Sequence, residues 1–296
     1  MTVAVRRLRP RWASLIGVLL AACSAPNDPV PANPAQTTLE RAQAEGKVRV
    51  GFAREAPYAY RDPATGRVTG EAPEVARHLL AGLGITQVES ILTEPETLIP
   101  GLQAGRFDLI AGLSIRPQHC AEVRFSNPTY QVGEAMVVRA GNPGKFHSFE
   151  DVAARRRSTL GVVAGSVELD HARAAGIPAE RILFFPGLPS AVAGVATGRV
   201  DGAAGSRLTL RKLVAKAKPG TVELAHPFRE PRKAGNPVRS YGAFAFRKRD
   251  AAFVAAINAR LADFIGSPEH AALVAPFGFT PADLPGKVST DALCPG

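Results

Sequence analysis

Strand and helix signals alternate along this chain in two successive sets, and that order excludes most architectures. Residues 47–52 (KVRVGF) read as a strand, and 73–83 as a helix with Val75, Leu79, Leu80 and Leu83 on one face. A strand at 88–92, a helix at 96–104 and a third strand at 108–111 follow. An extended stretch at 134–139 runs into Gly141-Asn142-Pro143-Gly144, which ends regular structure. Ser148-Phe149-Glu150-Asp151 then reads as a variant capping box, with Ser148 capping a helix and Asp151 reaching back. The second set comprises strand 159–163, a helix from Ser166, strand 182–185, helix 189–197, strand 200–204 and helix 208–217. After a polar, Pro-rich stretch at 218–239, SYGAFAF at 240–246 reads as a strand returning the chain, and 251–265 as a long amphipathic helix. Two runs of alternation with a break between them predict two α/β lobes rather than one large sheet. No sequence repeat relates the lobes.

The N-terminus reads as a secretion signal over residues 1–22. Arg6, Arg7, Arg9 and Arg11 precede an apolar run, 13–22, that is too short for a permanent membrane span. Leu20-Ala21-Ala22-Cys23 resembles the site at which a bacterial lipoprotein is acylated on Cys and cut before it. Cleavage after Ala25, giving a free soluble protein, is the alternative. Residues 23–38 are rich in Pro, Ala and Asn and lack apolar periodicity, as a flexible tether does. Removing residues 1–22 takes four Arg and no acid, lowering the formal charge from +10 to +6. The remaining charges are scattered without interleaved aromatics, and the one short cluster, Arg155-Arg156-Arg157, suits a solvated helix face. That argues against a nucleic-acid partner. The six histidines show no paired metal-ligand spacing, and there is no G-x-S-x-G elbow, Walker loop or CxxC pair. The sequence therefore implies no metal and no cofactor.

Residues 106–130, RFDLIAGLSIRPQHCAEVRFSNPTY, are the most specific stretch. They read as a buried strand (Leu109, Ile110, Ala111), a small-residue turn through Gly112, Leu113 and Ser114, a helix opening near Pro117, and then Phe125-Ser126-Asn127-Pro128. A strand end turning into a helix N-terminus leaves backbone N–H groups free to hold an anion. It is also where open α/β sheets place their ligand crevices. The arrangement resembles the binding-loop pattern of bacterial extracellular solute-binding proteins of family 3, the polar amino-acid type. There a strand with Asp leads through a small-residue turn to Thr-Pro-Glu-Arg and Phe-Ser-x-Pro-Tyr. The resemblance runs from Leu39 to the C-terminus. FAREAPYAY at 52–60, VTGEAPEVA at 68–76, Cys120, Phe277-Gly278-Phe279 and Cys294 further match the ectoine- and hydroxyectoine-binding subgroup.

The resemblance implies a type II periplasmic-binding fold, two α/β lobes joined by a two-strand hinge near 134–139 and 241–247. Lobe 1 takes residues 39–136 and 246–296, and lobe 2 is inserted at 137–245. It implies a receptor outside the cytoplasm, not an enzyme, that closes over a small polar or zwitterionic solute and delivers it to an ABC-type membrane permease. Such a protein would act as a monomer, held at the membrane through a lipid on Cys23. Two alternatives share the scaffold: a sensory or accessory binding protein, and an enzyme similar to cyclohexadienyl dehydratases with Glu55 or His119 as proton donor.

In this family the loop leaving the first strand faces the ligand. Here it carries Glu55 beside Tyr58 and Tyr60. A carboxylate next to aromatic faces suits a delocalised organic cation, each cation–π contact contributing roughly 0.5–2 kcal/mol; Tyr60 reads equally well as core packing. Gly112 and Ser114 lie in the binding turn, where Ser114 replaces the aromatic of the ectoine subgroup. Arg116-Pro117-Gln118-His119 replaces Thr-Pro-Glu-Arg, so the position of the carboxylate-clamping Arg holds His119. In the second lobe Ser206 stands where amino-acid binders carry an Asp for the α-amino group. Arg116 and Arg207 are the side chains that could restore the lost positive charge. Ser166, after Gly165, either donates to the ligand or simply caps its helix. With Cys23 lipidated, Cys120 and Cys294 are the pair left in an oxidising compartment. They are expected to form a disulfide tying the C-terminal tail to the helix after the binding turn.

Overall fold

In the computed structural model of the chain, Met1, Thr2 and residues 36–233 and 236–294 are described. The expected signal segment from residue 3, the acylated Cys23 and the tether up to residue 35 lie outside the described residues. The chain divides into two compact units, Met1–Gln36 and Thr37–Gly296, and both sheets belong to the second.

Eleven strands build these two main sheets: β1 Lys47–Ala53, β2 Gln87–Thr93, β3 Leu109–Ser114, β4 Arg124–Phe125, β5 Tyr130–Val132, β6 Glu134–Arg139, β7 Leu160–Val163, β8 Ile182–Phe185, β9 Gly202–Ser206, β10 Val222–Leu224 and β11 Ser240–Phe246. The first sheet runs β2-β1-β3-β11-β4, with β5 also on β11. β1 is parallel to β2 and β3, and β11 is antiparallel to β3. The second sheet runs β8-β7-β9-β6-β10, with β7 parallel to β8 and β9 and β6 antiparallel to β9. Each lobe thus arranges its own parallel strands second-first-third and accepts one antiparallel strand beside the third. In the first sheet that strand, β11, follows the whole second lobe; in the second sheet it is β6, which comes directly from the first. The common order arises without any sequence repeat.

The chain leaves the first sheet at Gly133, between β5 and β6, and has returned by Ser240. β6 pairs along its length, from Glu134 to Arg139, inside the second sheet, and β11 pairs inside the first. Strand pairing therefore puts both passages a few residues ahead of the expected 136/137 and 245/246 boundaries. β1 alternates, burying Val48, Val50 and Phe52 on one face, while β7 is buried continuously from Leu160 to Val162. Separate apolar clusters fill each lobe, around Phe52, Leu79, Phe244 and Phe253 in the first and Met136, Phe149 and Leu160 in the second.

Three local features differ from expectation. A helix, Thr38–Glu45, starts where the tether was expected to end, and Thr37 and Glu40 close a full capping box on it. β10 forms inside the Pro-rich stretch, pairing with β6 at Val222 to Leu224. Ser148 caps the helix Phe149–Ala154 by accepting from the Asp151 N–H, but Asp151 reaches past Ser148 to the N–H of His147. The disulfide Cys120–Cys294 is present, closing a sequence separation of 174 residues.

Candidate functional site

The parallel strands of both sheets end at one cavity of about 630 Å³. From the first lobe come Glu55, just past β1, and Gly112 and Ser114 at the end of β3. From the second come Gly165, Ser166 and Glu168 past β7, and Ser206 at the end of β9. Open α/β sheets place ligands at these carboxyl ends because loops and helix starts converge there. Gly112 lies within β3, where the sequence predicted a turn; the strand runs on to Ser114, and the left-handed φ of 77° falls where β3 shifts register against β11, a Cβ there sitting 2.9 Å from Ala72 Cβ.

Side chains from the two lobes meet around this cavity. Tyr58 Oη and Ser206 Oγ share a hydrogen bond of 2.6 Å. Thr209 Oγ1 donates to Glu55 Oε1 at 2.9 Å. Arg116 donates to the Gly165 carbonyl and the Asp170 carboxylate. The helix Arg207–Lys216 also holds the first lobe outside the cavity, through Arg207 on Asp283 (3.0 Å) and Arg211 on the Gly278 carbonyl (2.8 Å). The lobes are closed on one another.

Tyr58, Tyr130 and Phe279 form one aromatic cluster, with centroids 5.0 Å apart for the two tyrosines and 5.7 and 5.5 Å to Phe279. Tyr58 and Tyr130 face the cavity, while Phe279 packs behind them. The cluster requires Gly242 on β11, since a Cβ there would lie 2.1 Å from the Tyr130 ring. Burial pushes the Glu55 carboxyl above its ordinary value, with the Thr209 hydrogen bond opposing. Burial likewise raises the Tyr58 and Tyr130 hydroxyls, so both are neutral donors at physiological pH.

Of the side chains singled out from sequence, Glu55, Tyr58, Gly112, Ser114, Arg116, His119, Ser166 and Ser206 all line the cavity. Tyr60 does not; its ring lies under the Lys212 ammonium, 4.8 Å from the centroid. Arg207 is turned to Asp283 and also lies outside. His119 Nδ1 lies 2.9 Å from the Ser114 carbonyl, which can only accept, so Nδ1 carries a proton. A neutral His119 then offers only an acceptor on its other nitrogen, not the fork of an arginine. Ser166 does cap its helix, accepting from the Leu169 N–H at 3.4 Å while lining the cavity.

Two lining carboxylates were not anticipated. Glu134 opens β6 with 5% exposure, and its Oε1 takes a 2.5 Å hydrogen bond from His171 Nδ1. Glu168, 8% exposed, is pushed up to about 7 by burial and by the charge of Glu134. The hydrogen bond to Glu134 raises His171. A lone Glu at the head of the apolar strand EAMVVR was a usable signal for Glu134. Glu168 carried none, because an acid in a first helical turn is commonplace.

Comparison with known proteins points the same way. The profile of the bacterial extracellular solute-binding proteins, family 3, matches residues 48–280. A probable amino-acid ABC transporter periplasmic-binding protein, y4tE, of Sinorhizobium fredii (strain NBRC 101917 / NGR234) is 39% identical over 263 residues, covering 87% of this chain and 86% of its own. The crystal structure of EhuB in complex with hydroxyectoine superposes with a TM-score of 0.76 at 33% identity, covering 86% of this chain and 97% of that one. The ancestral amino acid-binding protein AncCDT-1, a precursor of cyclohexadienyl dehydratase, gives 0.70 at 25% identity over 81% and 99%.

Proposed function

Because the chain belongs to the bacterial extracellular solute-binding proteins of family 3, we propose that its cleft grips one small solute between hinged lobes and that Glu55, Tyr58 and the Gly112–Ser114 end of β3 form the first-lobe wall. The protein is the periplasmic solute-binding component of an ABC-type importer for a small polar or zwitterionic solute, amino-acid-like or ectoine-like, and is not an enzyme. The observation that carries the reading is the cavity at the carboxyl ends of both sheets, closed by bonds from lobe to lobe. A ligand touching both walls binds the closed form better than the open one, and that difference in affinity drives closure.

The site roles divide by lobe. On the first, Glu55 is the counter-charge for a cationic group, Tyr58 an aromatic wall, and Gly112, Ser114 and His119 polar contacts. On the second, Ser166 and Ser206 supply hydroxyls. Arg116 latches the lobes instead of holding a ligand carboxylate, which its pairing with Asp170 supports. The lobes meet at Gly133 and ahead of Ser240. Residues 1–22 serve as a secretion signal, Cys23 carries the lipid, and the single chain is tethered to the membrane face where its permease lies.

Native mass spectrometry of protein purified without denaturation, followed by a thermal-shift screen of compatible solutes, amino acids and organic cations, tests the reading. A bound small solute that raises the melting temperature and compacts the protein in X-ray scattering is expected. Absence of compaction with every compound class would end it. Glu55→Gln should weaken binding of a cationic solute about tenfold or more, with an unchanged circular dichroism spectrum. Unaltered affinity would place Glu55 outside the contact.

A further inference from the structure

We propose that the Cys120–Cys294 disulfide is a positioning element of the solute site: it seats the helix Pro117–Glu122 and so fixes where Arg116, Gln118 and His119 stand in the cleft. This inference rests on the solute-binding reading above.

The helix cannot seat itself. It is six residues long, buries none of them fully and receives no side-chain cap from Arg116. A helix that short is marginal without tertiary anchors. Yet Arg116, Gln118 and His119 all line the cavity, and Arg116 makes the contacts to Gly165 and Asp170 of the second lobe. Cys120 is bonded directly to these residues' backbone: its N–H donates to the Arg116 carbonyl at 2.9 Å, the first backbone bond of the helix, and the His119 carbonyl accepts from the Val123 N–H at 2.9 Å. Cys120 and Cys294 themselves pack, partly buried, against the apolar cluster that holds Leu113, Val123 and Phe125.

The other half of the bridge is moored independently of the cleft. Cys294 follows the helix Thr290–Leu293, its N–H bonded to the Thr290 carbonyl at 2.8 Å. Thr290 donates its hydroxyl to the Ser126 carbonyl and its N–H to Asn127 Oδ1, and the Asn127 N–H donates to Asn258 Oδ1 at 2.7 Å. Asn258 lies on the helix Ala251–Phe264, which packs into the first lobe through Phe253, Ile257 and Leu261. The disulfide therefore carries the rigidity of that body to the helix at the cleft. Noncovalent contacts assist, from Lys248 Nζ to the Cys120 carbonyl and from His119 Nδ1 to the Ser114 carbonyl. The lysine is exposed, however, and the imidazole reaches only the end of β3. Side chains that recognise a small solute must be held to within about 0.5 Å, a tolerance that a covalent bridge meets.

The test is stopped-flow binding and calorimetry on the purified chain with ectoine, L-arginine and L-glutamine. It compares the parent, the Cys120→Ser/Cys294→Ser pair, Asp170→Asn and the triple variant. The serine pair should bind whichever of these compounds the parent binds at least about fivefold more weakly, through faster dissociation. Asp170→Asn should add nothing further in the serine pair, because the arginine it serves has already lost its place. A bridge that only stabilised the fold would lower the unfolding midpoint, leave affinity within about twofold of the parent and keep the two effects independent. That result would overturn the proposal. Hydrogen exchange on the solute-free protein gives a separate reading. Amides of residues 120 and 123 should lose protection about tenfold or more, while those of the equally short second-lobe helix Phe149–Ala154 keep theirs. If the serine pair does not fold, the folded parent reduced with dithiothreitol, its free thiols counted, takes its place. If none of the three compounds binds the parent, that counts against the solute-binding reading, and exchange at residues 120 and 123 decides the positioning alone: protection retained there removes it.

Discussion

Glu71 is buried at the first position of the helix Glu71–Ala81, and burial raises its carboxyl from the ordinary 4.5 to about 8. The folded protein thus holds this proton more tightly than the unfolded chain does. The stability that results is complete below about pH 4.5 and is lost as pH climbs through about 8. Glu71→Gln, which cannot ionise, should shrink the drop in urea midpoint between pH 5 and pH 8.5 relative to the parent. A drop of equal size in both proteins would mean that Glu71 titrates no differently when folded. The other buried acids show how far residue-level reading reached. Glu55 was legible because an acid beside two tyrosines in the loop after a strand is chemically unusual. Glu134 and Glu168 were not singled out, since their partners, His171 and each other, come together only when β6 and the helix Val167–Ala174 pack.

At the scale of elements, the latch between the lobes is set by the helix Arg207–Lys216 on one side and by Arg116 on the other. Asp170 is 57% exposed, so its pair with Arg116 contributes little in isolation. Because the pair bridges the lobes, removing it should act mainly on opening. Asp170→Asn is expected to speed dissociation of whichever solute the screen identifies by about two- to fivefold, with the association rate little changed. Stopped-flow kinetics would show it, and an unaltered dissociation rate would remove Arg116–Asp170 from the closed state. The strands and helices themselves were largely legible, because long buried runs and 3.6-residue periodicity mark them. β10 was not, as three residues in a Pro-rich stretch carry no period and depend on β6 to exist. Tyr60 was ambiguous for a related reason: the Lys212 ammonium over its ring comes from an element about 150 residues later.

For the whole molecule, the Cys120–Cys294 bridge closes a loop spanning 174 residues, so it restrains the unfolded chain across both lobes. Loop entropy of that size corresponds to roughly 5 kcal/mol, and measured effects are commonly about 2–4 kcal/mol. Replacing both cysteines by serine should lower unfolding free energy by about 2–4 kcal/mol in denaturant titration; a change under about 0.5 kcal/mol would show that the tail is held by other contacts. The two-lobed architecture was legible in the double alternation, whereas the exact passages were not, because only strand pairing distinguishes a hinge from the strands beside it. The position of β11 has a further consequence, for the order of assembly. Leu113 finds its neighbour in Ala243 only after the inserted lobe has been synthesised and exported. The second lobe, whose strands β6 to β10 are contiguous, can therefore consolidate first, while the earlier-born half waits incomplete for residues that arrive late. Pulsed hydrogen exchange during refolding should protect β7 and β9 amides before those of β11, and simultaneous protection would mean that both halves mature as one cooperative unit.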